Sequence, residues 1–116
     1  MLPDKVKIGP LIYRVVEVEG LTDDEQSPLI GHILHDHLII KIERNLAPEV
    51  KLVTLWHEIL HGLLTNAGYS DHSEAHIEAI SHGLLSVLVE NGALVKPFLK
   101  RVQAADDRRK LMLGLL

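Results

Sequence analysis

The residues best able to do chemistry lie in one run, Leu55 to Leu64, which reads LWHEILHGLL. His57 and His61 are four apart, so on a helix they share a face about one turn apart. Both imidazoles can then reach a single metal ion. Glu58 projects roughly 100° around the helix from His57, near enough to touch a water on that ion without being a ligand. Zinc suits two imidazoles and one oxygen donor, with the fourth position left for water. It lowers the pKa of that water toward ~7, and a nearby carboxylate can take the proton. Ionisable groups in an apolar helix are costly unless partnered. The chain has eight histidines, so an HxxxH pair by itself says little. With Glu at the second position of an apolar helix, the pattern predicts Zn2+ on His57 and His61, with Glu58 as general base.

A third ligand must come from another element. The segment Asn66 to Asp71 is short, which favours an antiparallel helix hairpin, and the next helix carries Glu74 and Glu78. On a helical wheel the apolar face of that helix is Ile77, Ile80, Leu84 and Leu88. Glu74 borders this face and Glu78 lies further round, although Glu78 sits deeper along the hairpin. The wheel favours Glu74 as the oxygen ligand and leaves Glu78 as the alternative. The bland readings are a helix-capping role for Glu74 and a surface role for Glu78.

These side chains need a scaffold, and the chain divides into two halves of different period. Residues 5–43 read as strands. LIYRVVEVE alternates in part, and LIGHILHD and HLIIKIER form two strands joined by a tight connection near Asp36. Leu38, Ile40 and Ile42 alternate with Ile39, Lys41 and Glu43, so one face of that strand is buried. GLTDDEQSP is a turn-prone loop. From Asn45 the pattern is helical. Pro48 suits a first turn, Glu49 suits the positive end of the dipole, and Gly68 suits a stop. Asp71 is the expected cap of the second helix, with Glu74 as its capping-box partner. Asn91-Gly92 ends that helix, and residues 93–116 read as a further helical tail.

The expected architecture is α+β. A small antiparallel sheet of three to four strands (1–46) precedes the active-site helix pair (47–92) and the tail, in a single domain. Trp56 is expected in the core with Leu52, Ile59 and Leu63. His32, His35 and His37 form an HxxHxH pattern that a turn at Asp36 would split, so structural or solvent roles are expected for them. RVQAADDRRK in the tail reads as a solvated helix face.

Composition narrows the function classes. Hydrophobic content of 47% over 116 residues fits a folded domain. The absence of cysteine rules out a disulfide framework or a thiolate zinc knuckle. A net charge of -4 without a long basic run argues against nucleic acid as the default partner. No apolar stretch is long enough for a membrane span, and the first ten residues lack the apolar core of a secretory signal. A cytoplasmic protein acting on a peptide or protein substrate is the expectation. Oligomeric state is not readable; the apolar end LMLGLL could dock on its own core or on another subunit.

LVTLWHEILHGLL followed by SEAHIEAISHGLL resembles the gluzincin metallopeptidases. The likeness is to their small forms: the minigluzincins, the ImmA/IrrE-like metallopeptidases and short phage-encoded HExxH proteins. It covers about residues 29–92, including the strand pair before the active-site helix. The resemblance implies a zinc-dependent peptidase with Glu74 as third ligand and Glu78 supporting a ligand histidine. It also implies a sheet edge that aligns substrate by main-chain pairing. Two departures stand out. The interval from His61 to Glu74 is short for larger gluzincins. No group that stabilises an oxyanion is recognisable; Tyr69, His72, His76 and His82 are near enough in sequence to be proposed, and the bland reading of each is a surface residue or a support for a ligand. Two rival readings remain: a catalytically silent zinc-binding or interaction module with the same fold, and a metal-free structural domain.

Overall fold

The computed structural model describes residues 2–69 and 71–114. The last two residues of the expected tail helix, 115–116, lie outside them, as does residue 70 of the inter-helix connection. Seven elements follow in chain order: β1 (Lys5–Ile8), β2 (Leu11–Val18), β3 (Gly31–Leu34), β4 (Ile39–Glu43), α1 (Pro48–Asn66), α2 (Glu74–Glu90) and α3 (Gly92–Met112). The class is α+β, with the sheet first and the helices after it. Two compact units are present, residues 1–82 and 83–116.

The sheet order is β1-β2-β4-β3. Hairpins at Gly9-Pro10 and around Asp36 give the antiparallel pairs β1–β2 and β3–β4. Gly9 takes the left-handed conformation (φ 58°) that its tight turn requires. The expectation of a purely antiparallel sheet is corrected at the centre, where β2 and β4 pair in parallel from Arg14↔Ile39 to Val18↔Glu43. The second hairpin docks on β2 through β4, its more apolar strand. Ile40 and Ile42 are fully buried there, alternating with half-buried Lys41 and Glu43. This leaves β3, and not β4, at one edge of the sheet, packed on α1.

One core joins Ile8, Tyr13, Ile33, Ile40 and Ile42 of the sheet to Leu55 of α1. Two glycines bring helix and sheet together. A Cβ at Gly62 would lie 2.8 Å from Ile8 Cδ1, and one at Gly31 would lie 2.6 Å from Thr54 Cγ2. The buried face of α1 is Thr54, Leu55, Glu58 and Gly62. Trp56 is only half-buried, and Leu52 and Leu63 are exposed, so the core face lies about a third of a turn from the expected one. The larger side chains yield to Gly62 because the sheet approaches too closely for them.

Helix α1 starts at Pro48 with Glu49 in its first turn. It ends in a Schellman turn: Gly68 has φ 92°, its N–H donates to the Thr65 carbonyl, and the Tyr69 N–H donates to the Leu64 carbonyl at 2.8 Å. Helix α2 starts later than expected. Ser73, not Asp71, precedes its first residue, and the Ser73 hydroxyl accepts the His76 N–H at 3.4 Å. In the second unit α3 runs with Asp106 paired to Arg109 and Lys110 on its own surface. Among the described residues no helix is long and apolar enough to cross a membrane.

Candidate metal centre

Helix α1 carries His57, Glu58 and His61 past the β3 edge, and among the described residues this is the one group of three or more metal-capable side chains with converging ligand atoms. The first turns of α2 add two carboxylates. Glu74 places Oε2 at 3.0 Å from His57 Nε2 and Oε1 at 3.0 Å from His61 Nε2. The two Nε2 atoms are 3.1 Å apart. Glu58 is nearer in sequence but further from the focus, with Oε2 at 4.0 Å from His57 Nε2. The third donor facing both imidazoles is therefore Glu74.

The outer hydrogen bonds assign the tautomers. Glu78 Oε2 lies 2.7 Å from His57 Nδ1, so that nitrogen carries the proton and donates to the carboxylate. On the other histidine a relay operates. The Schellman turn fixes the Tyr69 carbonyl, which accepts the His72 Nδ1–H at 2.7 Å. His72 Nε2 is then an acceptor, 2.6 Å from His61 Nδ1, which must donate. In the neutral tautomers so assigned, both Nε2 lone pairs face each other and the Glu74 carboxylate. Two imidazole nitrogens and two carboxylate oxygens at 3.0–3.1 Å repel unless a proton or a cation lies among them. Ligands at about 2.0–2.1 Å on a tetrahedral zinc would stand about 3.3 Å apart, so the donor set fits that ion.

Electrostatics separate the two kinds of carboxylate. Glu58 is buried, and burial pushes its carboxyl up to about 7 from 4.5; the Glu74 charge adds to this, while His57 and the Ile33 backbone N–H oppose it. A carboxyl titrating near neutrality beside a metal focus is suited to receive and return a proton. His61 is lowered, chiefly because burial disfavours its imidazolium. Glu78 is lowered, first by its hydrogen bond to His82 and further by His57. Gly31 is what lets Glu58 lie against the sheet: a Cβ there would stand 3.2 Å from Glu58 Oε2.

A cleft of ≈ 1080 Å³ opens on this focus. It runs along one α1 face (Val50, Val53, His57, His61, Thr65) and along β3 and the residues before it. Of the four groups named for an oxyanion, His72 and His82 line the cleft and Tyr69 and His76 do not. His72 is engaged with His61, and His82 Nε2 lies 2.8 Å from Glu78. His32 and His35 also line the cleft, while His37 is exposed at the hairpin turn. Sequence reasoning left His72 between a surface and a supporting role, and it missed the edge position of β3 and the need for Gly31. Only the Gly68 stop hinted at the supporting role, because it holds Tyr69 in the turn that orients His72.

No protein-family model matches the chain, and no curated protein or solved structure matches it.

Proposed function

We propose that this chain is a small gluzincin-type zinc peptidase-like protein that hydrolyses peptide bonds. The observation that carries the reading is the convergence of His57 Nε2, His61 Nε2 and the Glu74 carboxylate, with buried Glu58 beside it. His57, His61 and Glu74 would hold the ion. When bound, zinc supplies Lewis acidity to a scissile carbonyl and acidifies water. Glu58 takes the proton from that water and delivers it to the departing amine. Glu78 and the His72–Tyr69 relay keep both imidazoles turned inward. The free edge of β3 offers unpaired main-chain groups on which an extended substrate aligns.

One feature favours the silent zinc-binding module as second reading. Among the described residues no Lys, Arg or Tyr lines the cleft, and its His72 and His82 are engaged with His61 and Glu78, so a ready oxyanion donor is lacking. The two readings part on one experiment. Purified protein is loaded with zinc, its metal content measured, and a peptide library digested with wild type and Glu58→Gln. The peptidase reading expects one zinc in both proteins and cleavage by wild type alone. Zinc in both without cleavage supports the silent module. Absence of zinc from both, with melting indifferent to a chelator, would sink the metal site.

A further inference from the structure

We infer that the cleft selects substrates with a basic side chain three to four residues to the C-terminal side of the cleaved bond, and that Glu49 reads that charge. The position relative to a cleaved bond rests on the peptidase reading; the charge preference rests on the cleft alone.

The cleft is unlike at its two ends. Beyond His61 it is lined by Thr65, His35 and His72; before His57 it is lined by Pro28, Leu29, Ile30, Val50, Val53 and Glu49. In this second bay Ile30 is 56% and Val50 42% exposed, so apolar surface waits for a partner there. Among the described residues no Lys or Arg lines the cleft. Its carboxylates are Glu49, Glu58, Glu74 and Glu78. Glu74 faces the two imidazoles, Glu78 is bonded to His57 and His82, and Glu58 lies buried against the sheet. Glu49 is exposed, and no ion pair engages it among the described residues. A dication on His57, His61 and Glu74 would offset the charges of Glu74 and Glu78. Glu49 is then the carboxylate of the apolar bay that no ion pair engages among the described residues.

Direction and distance follow from the scaffold. Gly31 meets Thr54 and Glu58, and Ile33 meets Gly62, so β3 and α1 run the same way. Antiparallel pairing is the more stable and more frequent mode for an added strand. A peptide antiparallel to β3 sends its C-terminal side toward Ile30 and Glu49. Eight residues separate Glu49 from His57, about 12 Å along a helix at 1.5 Å each. An extended peptide covers that in about three to four residues at ~3.3 Å each. The intervening side chains lie over Val53 and Val50.

The test uses zinc-loaded full-length protein and two decapeptides differing only in Lys or Glu at that position. Wild type should cleave the Lys peptide about five- to tenfold better in kcat/KM, the scale of an exposed attraction replaced by repulsion. The difference should shrink in high salt. Glu49→Gln should abolish the preference and Glu49→Lys should reverse it. Binding to the Glu58→Gln protein, read by fluorescence anisotropy, should follow the same order whether or not wild type cleaves. If wild type cleaves nothing but this binding order holds, the peptidase reading fails and the charge selection stands. Equal handling of both peptides, a preference unmoved in Glu49→Lys, or no peptide binding at all overturns the inference.

Discussion

Two histidine-rich regions sit within reach of one cleft and behave differently. On α1, His57 and His61 bring their Nε2 atoms to 3.1 Å. On the β3–β4 hairpin, His32, His35 and His37 form no convergent group. The hairpin places His32 on a strand, His35 just past its end and His37 out in the turn. His35 Nδ1 is even buried without a hydrogen-bond partner. Residues four apart on a helix inherit a common direction, whereas a turn rotates each residue to a new one. Second elements then complete the difference. Glu78 and His72 turn the α1 imidazoles inward, and the hairpin histidines have no such supports.

The largest test of this contrast is ligand loss. His57→Ala or His61→Ala should weaken zinc binding by about a thousandfold, taking one ligand's share of a site worth about 10–16 kcal/mol. His35→Ala and His37→Ala should change it less than about twofold; competition with a chromogenic chelator measures both. A comparable loss from the hairpin variants would erase the distinction.

Next comes the carboxylate pair. Glu74→Ala should lower zinc affinity by more than a hundredfold, and Glu78→Ala by about ten- to a hundredfold, the range for removing a support of a ligand histidine. The reverse ranking would exchange their roles.

The metal-free protein has a pH signature set by the α1 cluster. Glu58 has its folded pKa raised from 4.5 to about 7. Its contribution to stability is therefore full below pH 4.5 and is lost as pH rises through about 7, by about 3 kcal/mol at most. His61, lowered by burial, acts oppositely: its contribution holds above its unfolded value near 6.5 and declines as pH falls below it. Glu58→Gln should thus stabilise the metal-free protein at pH 8 while leaving the acid-side decline. Urea melts at pH 5, 6.5 and 8 read this directly, and an unchanged alkaline limb would refute the Glu58 assignment.

The smallest expected effect concerns His72. His72→Ala should cost about tenfold in zinc affinity. It should also release the Nδ1–H tautomer of His61, visible in the imidazole 15N shifts of the metal-free protein. His72→Gln, which keeps an acceptor for that proton, should restore much of both. If the His61 shifts do not move in His72→Ala, the relay is not what orients the ring.

Much of the frame was legible because it is periodic. The alternation of Ile40 and Ile42 with Lys41 and Glu43 marks β4, and Pro48 and Gly68 bracket α1 within two residues. The parallel pairing of β2 with β4 was not legible, since alternation shows which face a strand buries but not which neighbour it takes. Trp56 misled for a related reason. The core face of α1 is chosen by close approach to Ile8 and Ile33, which selects Gly62 over bulk.

The amino-acid order alone determined that His57 and His61 share a face with Glu58 a residue away, because helix geometry is local. It also narrowed the outer carboxylates to Glu74 and Glu78. Tertiary structure decided which of them faces both imidazoles, which strand lies at the edge, and how His72 reaches His61. Those outcomes depend on how separate elements meet, and that is set by the Schellman turn after α1, the late start of α2 after Ser73, and the two glycines that let sheet and helix close on each other.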